Sequence, residues 1–139
     1  MLNRITHTGV WVADQDEALA FYRDVLGFEV RMDVTIAEIG NLRWLSVGLP
    51  GQDLVLQLAA FDHMDDATRE QVRQILAQGY TPPLIFEVDD CRATIEELRA
   101  RGVDITQEPA EQPYGIDAAI RDPSGNSIRL TQPARVPAG

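Results

Sequence analysis

The chain has 139 residues, of which 45% are hydrophobic and 24% charged, a composition typical of a single soluble globular domain. Its formal net charge of −10 argues against binding to nucleic acid or to an anionic membrane surface. Its one cysteine, Cys91, excludes an internal disulfide and a cysteine-rich metal site. No apolar run reaches the ~18 residues that cross a bilayer, and the N-terminus lacks a secretory apolar stretch, so we expect a cytoplasmic protein.

The first predicted module covers residues 5–61 and begins with a strand over 5–12. A helix follows, with Asp14 as its N-cap and Gly27 at its end, and its apolar face consists of Ala18, Phe21, Tyr22 and Val25. Three further strands complete the module, over 28–36, 42–49 and 53–60. A helix within the connector 62–79 spans about 64–78, and its apolar stripe is Val72, Ile75 and Leu76.

The second predicted module covers residues 80–132 and repeats this series. A strand over 83–88 precedes a helix that Asp89 or Asp90 caps and Gly102 ends, with Cys91, Ile95 and Leu98 on its apolar face. The remaining strands span 103–107, 116–121 and 127–132, the last after an Asp122-Pro123-Ser124-Gly125 turn. Residues 133–139 form an expected frayed tail.

The repeated strand, helix and three strands predict an α+β fold of two tandem modules within one domain. The helix of each module covers only one face of its sheet. The strands alternate between a uniformly aliphatic face, which we expect under the helices, and a mixed face. Because polar groups that converge on a sheet surface mark a pocket, this mixed face is the predicted ligand cavity; it carries His7, Trp11, Gln57, Glu87 and Arg129.

Two segments resemble a known family. The first is HTGVWVADQDEALAFYRDVLGFEV, with its Phe21-Tyr22 and Leu26-Gly27-Phe28, and the second is DPSGNSIRL. They are similar to the opening and closing motifs of the glyoxalase/bleomycin-resistance/dioxygenase superfamily, whose fold is also called vicinal oxygen chelate. The resemblance covers about residues 5–132 and implies curved mixed sheets around a concave cavity. It leaves the activity open, because this fold hosts many functions.

The resemblance also implies up to four metal-ligand positions, one on each inward strand. They fall on His7, Gln57, Pro83 and Arg129. Proline has no side-chain donor and arginine cannot ligate, so only a histidine and a neutral amide remain, too few for a catalytic divalent site. We therefore expect no metal. A rearranged site of His7, Gln57 and Glu87 stays open as an alternative.

Without a metal, the chain resembles the family's antibiotic-sequestering branch. That resemblance implies a homodimer that binds a small aromatic or partly polar molecule. The expected ligand-binding residues are His7, Trp11, Trp44, Gln57, Glu87, Tyr114 and Arg129, with Phe61 a weaker stacking candidate. Arg129 is assigned to a ligand carboxylate or phenolate.

Two other functions remain open. One is an enzyme of the same superfamily, either a metal-dependent lyase, isomerase or dioxygenase, or a metal-free catalyst with His7 as its general base. The other is an interaction module without a ligand. Whether the chain is an enzyme is therefore undecided from the sequence.

Overall fold

The computed structural model describes residues 1–135, which fall into two compact units, Met1–Gln74 and the chain from Ile75 onward. Within the described range, none of the helices has the length and apolar character needed to span a bilayer. Residues 136–139 of the expected tail lie outside the described residues, whereas Pro133 belongs to the last strand.

The first unit contains a four-stranded mixed sheet and one helix. Its elements are β1 (His7–Val12), α1 (Gln15–Ala20), β2 (Glu29–Ile36), a 3-10 turn (Ala37–Ile39), β3 (Leu42–Gly48) and β4 (Val55–Ala60). The strand order is β1-β4-β3-β2, with β1 parallel to β4 and the other pairs antiparallel. The first predicted module is therefore present, with element ends shifted by a few residues.

The helix of the first unit changes its geometry halfway. Asp14 caps it as predicted, because its carboxylate accepts a hydrogen bond from the Glu17 amide at 3.0 Å. After Ala20 the chain continues as a π-helical turn over Phe21–Val25. Ala18, Phe21 and Tyr22 are buried as their spacing predicts. The pattern of apolar residues does not distinguish a π turn from an α turn, so this feature was not foreseen.

The connecting helix α2 (Asp66–Gln78) follows an Asp65 cap, whose carboxylate accepts from the Thr68 amide at 2.9 Å. Val72 and Leu76 are buried, but Ile75 is 41% exposed. The sequence prediction that Ile75 belongs to the apolar stripe is therefore wrong. Val72 and Leu76 stand four residues apart and define a narrow buried line, and Ile75 lies beside that line.

The second unit repeats the arrangement of the first. Its elements are β5 (Leu84–Glu87), α3 (Cys91–Ala100), β6 (Asp104–Gln112), β7 (Gly115–Arg121) and β8 (Ser127–Pro133). The strand order is β5-β8-β7-β6, and β5 is parallel to β8. Strand β6 runs five residues beyond the predicted 103–107. As an edge strand with irregular register it accommodates Pro109.

The registers show that the two units use equivalent positions. Gly9 of β1 lies opposite Gln57 of β4, and Ile85 of β5 lies opposite Arg129 of β8. Gln57 and Arg129 therefore hold the same place in their sheets. The predicted α+β fold of two repeated strand–helix–three-strand units is confirmed.

The predicted division of each sheet into two faces is also observed. Leu56 and Leu58 of β4 are buried, and so are Ile128 and Leu130 of β8, whereas the residues between them are half-buried. Helix α3 covers the aliphatic face of the second sheet, since the thiol of Cys91 lies 3.7 Å from the carbonyl of Leu130. The opposite face of each sheet, here called its open face, carries the predicted site residues.

The turn before β8 is held by one carboxylate. Oδ1 of Asp122 accepts hydrogen bonds from the amides of Ser124, Gly125 and Asn126 at 2.8 to 3.0 Å. Gly125 has a φ of 106°, and a Cβ there would collide with the carbonyl of Leu76. The Asp-Pro-Ser-Gly motif therefore has a structural role: it closes the β7–β8 connection and aligns β8.

Ile95 and Ile75 provide a matched pair for testing the packing. We expect Ile95→Ala to lower the free energy of unfolding by about 2 to 4 kcal/mol, because the side chain of Ile95 on α3 is fully buried. Ile75→Ala removes the same atoms from a half-exposed site and should cost under about 1 kcal/mol. Urea unfolding followed by circular dichroism measures both, and equal losses would contradict the assigned helix faces.

Candidate functional site

The open face of the first sheet brings His7 and Gln57 onto neighbouring strands. His7 pairs with Val55 and Gly9 pairs with Gln57. On the parallel strand β4, Gln57 therefore lies two residues beyond the position opposite His7. A Cβ at Gly9 would lie 3.6 Å from Cβ of Gln57, an ordinary contact. The glycine therefore places no side chain beside the Gln57 amide, although a Cβ would fit there.

His7 is an exposed side chain at the start of β1. Its Nδ1 lies 2.8 Å from the hydroxyl of Thr6, and its ring meets the indole of Trp44 edge-on, with 6.2 Å between ring centroids. Trp11 lies on the same face and is 42% exposed. The structure thus places His7, Trp11, Trp44 and Gln57 on one face of the first sheet.

A cleft of about 590 Å³ in the first unit is lined by Gln57, Ala59 and the segment 39–43. Arg43 at its side is already neutralised. Its guanidinium donates to Asp33 at 2.9 Å and to Asp16 at 2.6 Å, and these bonds raise its pKa. Gln15, Asp62 and His63 line this cleft as well, so it combines polar side chains with the aliphatic surface of Ile39 and Leu42.

A second cleft, of about 560 Å³, lies in the second unit and is here called the β8 cleft. Its lining includes three of the predicted ligand-binding residues, Glu87, Tyr114 and Arg129. Ile85, Asp117 and Thr131 line it as well. Tyr114 is 55% exposed, so its ring is available as a stacking surface.

The polar centre of the β8 cleft is an ion pair between Arg129 and Asp117. Asp117 is 1% exposed, and its Oδ2 accepts hydrogen bonds from Nε and Nη2 of Arg129, the first at 3.2 Å. Nη2 also donates to Oε1 of Gln107 at 2.8 Å. The Gln107 amide in turn donates to Asp117 at 3.2 Å, and the Tyr114 hydroxyl donates to it at 3.0 Å. Four side chains thus form one closed network.

This network fixes the charge states of its members. The bond from Arg129 is the main cause that holds the pKa of Asp117 below its ordinary value, and it outweighs the opposing effect of burial. The Tyr114 hydroxyl, which donates to that carboxylate, has its pKa raised. Asp117 is therefore ionised and Tyr114 neutral at physiological pH.

Arg129 therefore differs from its sequence assignment, in which its guanidinium faces an anionic ligand. In the structure its partner is the internal carboxylate of Asp117. Neither Asp117 nor Gln107 was predicted as a member of this site. Alternation along 116–121 would have placed Asp117 on the open face, opposite the buried Ala118 and Ile120, whereas Gln107 gave no comparable signal.

The residues at the four ligand positions do not fit a divalent metal. The first unit contributes His7 and the neutral amide of Gln57, and the second contributes Pro83 and an arginine bound to a carboxylate. Within residues 1–135, no three His, Cys, Asp or Glu side chains come together. No chemical step is assigned to a metal in this chain.

Two remaining sequence candidates belong to the core. Phe61 is 3% exposed, which rules out the stacking role considered for it. Cys91 is fully buried, and its pKa is raised mainly by that burial, so its thiol is an inert packing group.

Comparison with known proteins finds one family model and several solved structures that match this chain. The model of the Glyoxalase/Bleomycin resistance protein/Dioxygenase superfamily matches residues 4–130. The crystal structure of UcmS2 is 40% identical, with a TM-score of 0.86, and the match covers 94% of this chain and 98% of that one.

Two further relatives differ in what they are described to do. TnmS3, an antibiotic binding protein from Streptomyces sp. CB03234, is 30% identical with a TM-score of 0.75, over 96% of this chain and 98% of that one. A probable lactoylglutathione lyase from Vibrio cholerae is 29% identical over 140 residues, which cover 99% of this chain and 96% of the lyase.

Asp117→Asn tests the network. We expect a loss of about 2 kcal/mol of stability at pH 7, because charge-assisted hydrogen bonds to a buried carboxylate are lost. Since the pKa of Asp117 is lowered by folding, its contribution is present at neutral pH and disappears as the pH falls below about 4. The difference between wild type and variant should therefore shrink in acid.

Urea titrations at several pH values between neutral and acid measure this convergence. Asp104→Asn, at an exposed position of β6, is the control and should follow the wild-type curve throughout. A constant gap between wild type and Asp117→Asn at all pH values would contradict the ionic network.

Proposed function

The chain belongs to the glyoxalase/bleomycin resistance protein/dioxygenase superfamily, and from that premise we propose that it is a metal-free protein that binds a small molecule. The ligand in this proposal has an aromatic or mixed polar and apolar body. The biological role that we propose is sequestration of an antibiotic in the cytoplasm.

One observation carries the proposal. Where Arg129 replaces a ligand position, its guanidinium is bound to the buried carboxylate of Asp117. A divalent ion there would face a cation, and removal of the arginine would leave Asp117 buried without its partner. This ion pair supports the proposal that the open face of the second sheet is stable without a metal, with Tyr114 accessible beside it.

The exposed aromatic side chains favour a ligand-binding function over an enzymatic one. Trp11 and Tyr114 are 42% and 55% exposed on the open faces of their sheets, and Trp44 stands beside His7. Aromatic side chains exposed in this way lose hydration favourably when a flat ligand covers them. TnmS3, an antibiotic binding protein that is 30% identical over nearly the whole chain, supports the same class of function.

A second candidate function is an enzyme of this superfamily. The relative from Vibrio cholerae, a probable lactoylglutathione lyase, favours it, and so does the exposed imidazole of His7 beside the Gln57 amide. In that case His7 is the general base, and its Nδ1 contact with Thr6 orients the ring. This candidate requires a turnover that disappears in His7→Ala.

We also propose that the protein is a homodimer. Met32 and Val34 are 50% and 45% exposed on the open face of the first sheet, where they lie on the edge strand β2. A surface of this kind is commonly covered by a second protein surface.

Metal analysis and ligand titration together test the main proposal. We expect purified full-length protein to hold no stoichiometric Ni, Zn, Fe or Mn, and to quench its tryptophan fluorescence on titration with bleomycin or a flat polycyclic antibiotic. Trp44→Ala should weaken that binding about tenfold, because the stacking surface is lost. Tyr80→Ala removes an exposed ring that belongs to neither sheet and is the control.

A stoichiometric metal would contradict the metal-free proposal. Formation of S-lactoylglutathione by the wild type, with loss in His7→Ala, would establish the second candidate. Saturable binding without turnover would support sequestration.

The homodimer has its own test in light scattering coupled to size exclusion. The expected mass is twice the 15.4 kDa of one chain. Met32→Lys should shift the population toward the single-chain mass, because a charge would be placed in an apolar contact. A wild-type protein that elutes with the single-chain mass at all concentrations contradicts the proposal.

A further inference from the structure

The β8 cleft has an uneven distribution of charge. Three charged side chains line it: Glu87 on β5, Asp117 on β7 and Arg129 on β8. Two of them neutralise each other, so the cleft as a whole carries one negative charge. The position of that charge follows from the direction of the guanidinium.

Arg129 turns away from Glu87. All of the hydrogen bonds recorded for its guanidinium go to Asp117 on β7 and to Gln107 on β6. Strand β5, which carries Glu87, lies on the other side of β8 in the order β5-β8-β7-β6. The guanidinium therefore bonds to residues on the β7 and β6 side of β8, whereas Glu87 lies on the β5 side.

Glu87 has no partner of its own within residues 1–135. It is exposed, and neither a hydrogen bond nor an ion pair links it to another described side chain. It lies opposite Thr131, which in turn lies opposite Asp117, so two strand spacings of about 4.8 Å each separate the two acidic residues along one row. A carboxylate that lines a cleft without a partner is suited to a cation from outside.

Apolar surface surrounds this carboxylate. Ile85, two residues earlier on the same face of β5, is 68% exposed. Tyr114 and Pro133 line the cleft beyond the Thr131 row, and the carbonyl of Tyr114 accepts a hydrogen bond from the Ala134 amide, which fixes the turn. The phenol ring is held further by its bond to Asp117. A flat ring system bound in this cleft would therefore contact apolar surface on both sides of the row formed by Glu87, Thr131 and Asp117.

We infer that the β8 cleft selects an aromatic ligand that carries a protonated amine, with the amine against Glu87 and the rings against Ile85 and Tyr114. This inference rests on the proposed function and names the class of ligand for that site. An anionic ligand would have to compete with Asp117 for the guanidinium of Arg129. The net charge of −10 on the whole chain also attracts cations and repels anions over longer distances.

Three size-matched fluorescent probes test the inference on the full-length protein: 1-pyrenemethylamine, 1-pyrenemethanol and 1-pyrenecarboxylate. They share one ring system and are cationic, neutral and anionic at pH 7. Fluorescence anisotropy at low ionic strength gives the three dissociation constants. We expect the amine to bind about fivefold more tightly than the alcohol, and the carboxylate to bind most weakly.

Variants assign the preference to the cleft. Glu87→Gln should abolish the advantage of the amine and leave the affinity for the alcohol unchanged. Glu96→Gln, on helix α3 over the opposite face of the same sheet, removes the same charge and should keep the preference. Ile85→Ala should weaken all three probes by a similar factor, because it removes apolar contact and no charge.

The outcomes separate this inference from the proposed function. Binding of all three probes with equal affinity, or tightest binding of the carboxylate, overturns the amine preference and leaves small-molecule binding intact. An amine preference that survives in Glu87→Gln also overturns the inference. Lack of saturable binding by every probe, together with no response to the antibiotics above, counts against the proposed function itself.

Discussion

Arg129 stands on a sheet surface where a cation is costly unless a carboxylate meets it, and Asp117 supplies that carboxylate from the neighbouring strand. The pair has further consequences for the second unit. It ionises Asp117, orients the Tyr114 ring through a hydrogen bond, and ties the edge strand β6 to the sheet through Gln107. Because the guanidinium is committed to this network, the remaining charge of the cleft is that of Glu87. The character of the whole surface follows from this one contact.

The two units show how a repeated framework carries different surfaces. The pairs Gly9–Gln57 and Ile85–Arg129 occupy equivalent positions, which makes Trp11 the counterpart of Glu87. The first unit thus has an aromatic ring where the second has a carboxylate. The backbone registers are shared because the buried aliphatic faces are alike, whereas the open faces are free to differ. The open face of the first unit is therefore the more aromatic one, and that of the second unit is the more charged.

Most of the fold could be predicted from the sequence, because alternation along strands and caps at helices are local signals. Asp14 and Asp90 cap their helices as predicted, and strand alternation alone assigns His7, Gln57 and Arg129 to the open faces. What escaped prediction depends on contacts distant in the chain. Gln107 joins the network only because an irregular edge strand brings it beside Asp117, and no periodic pattern marks such a meeting.

The single thiol of this chain belongs to Cys91, the first residue of helix α3, and lies fully buried beside the carbonyl of Leu130. Its raised pKa and lack of solvent contact keep it from reacting with alkylating reagents in the folded state. The native protein therefore gives no labelling of its own with thiol-reactive reagents. A cysteine introduced at one rim of either cleft would be the sole reactive sulfur, so a spin label or fluorophore there would report ligand entry without removal of any natural residue.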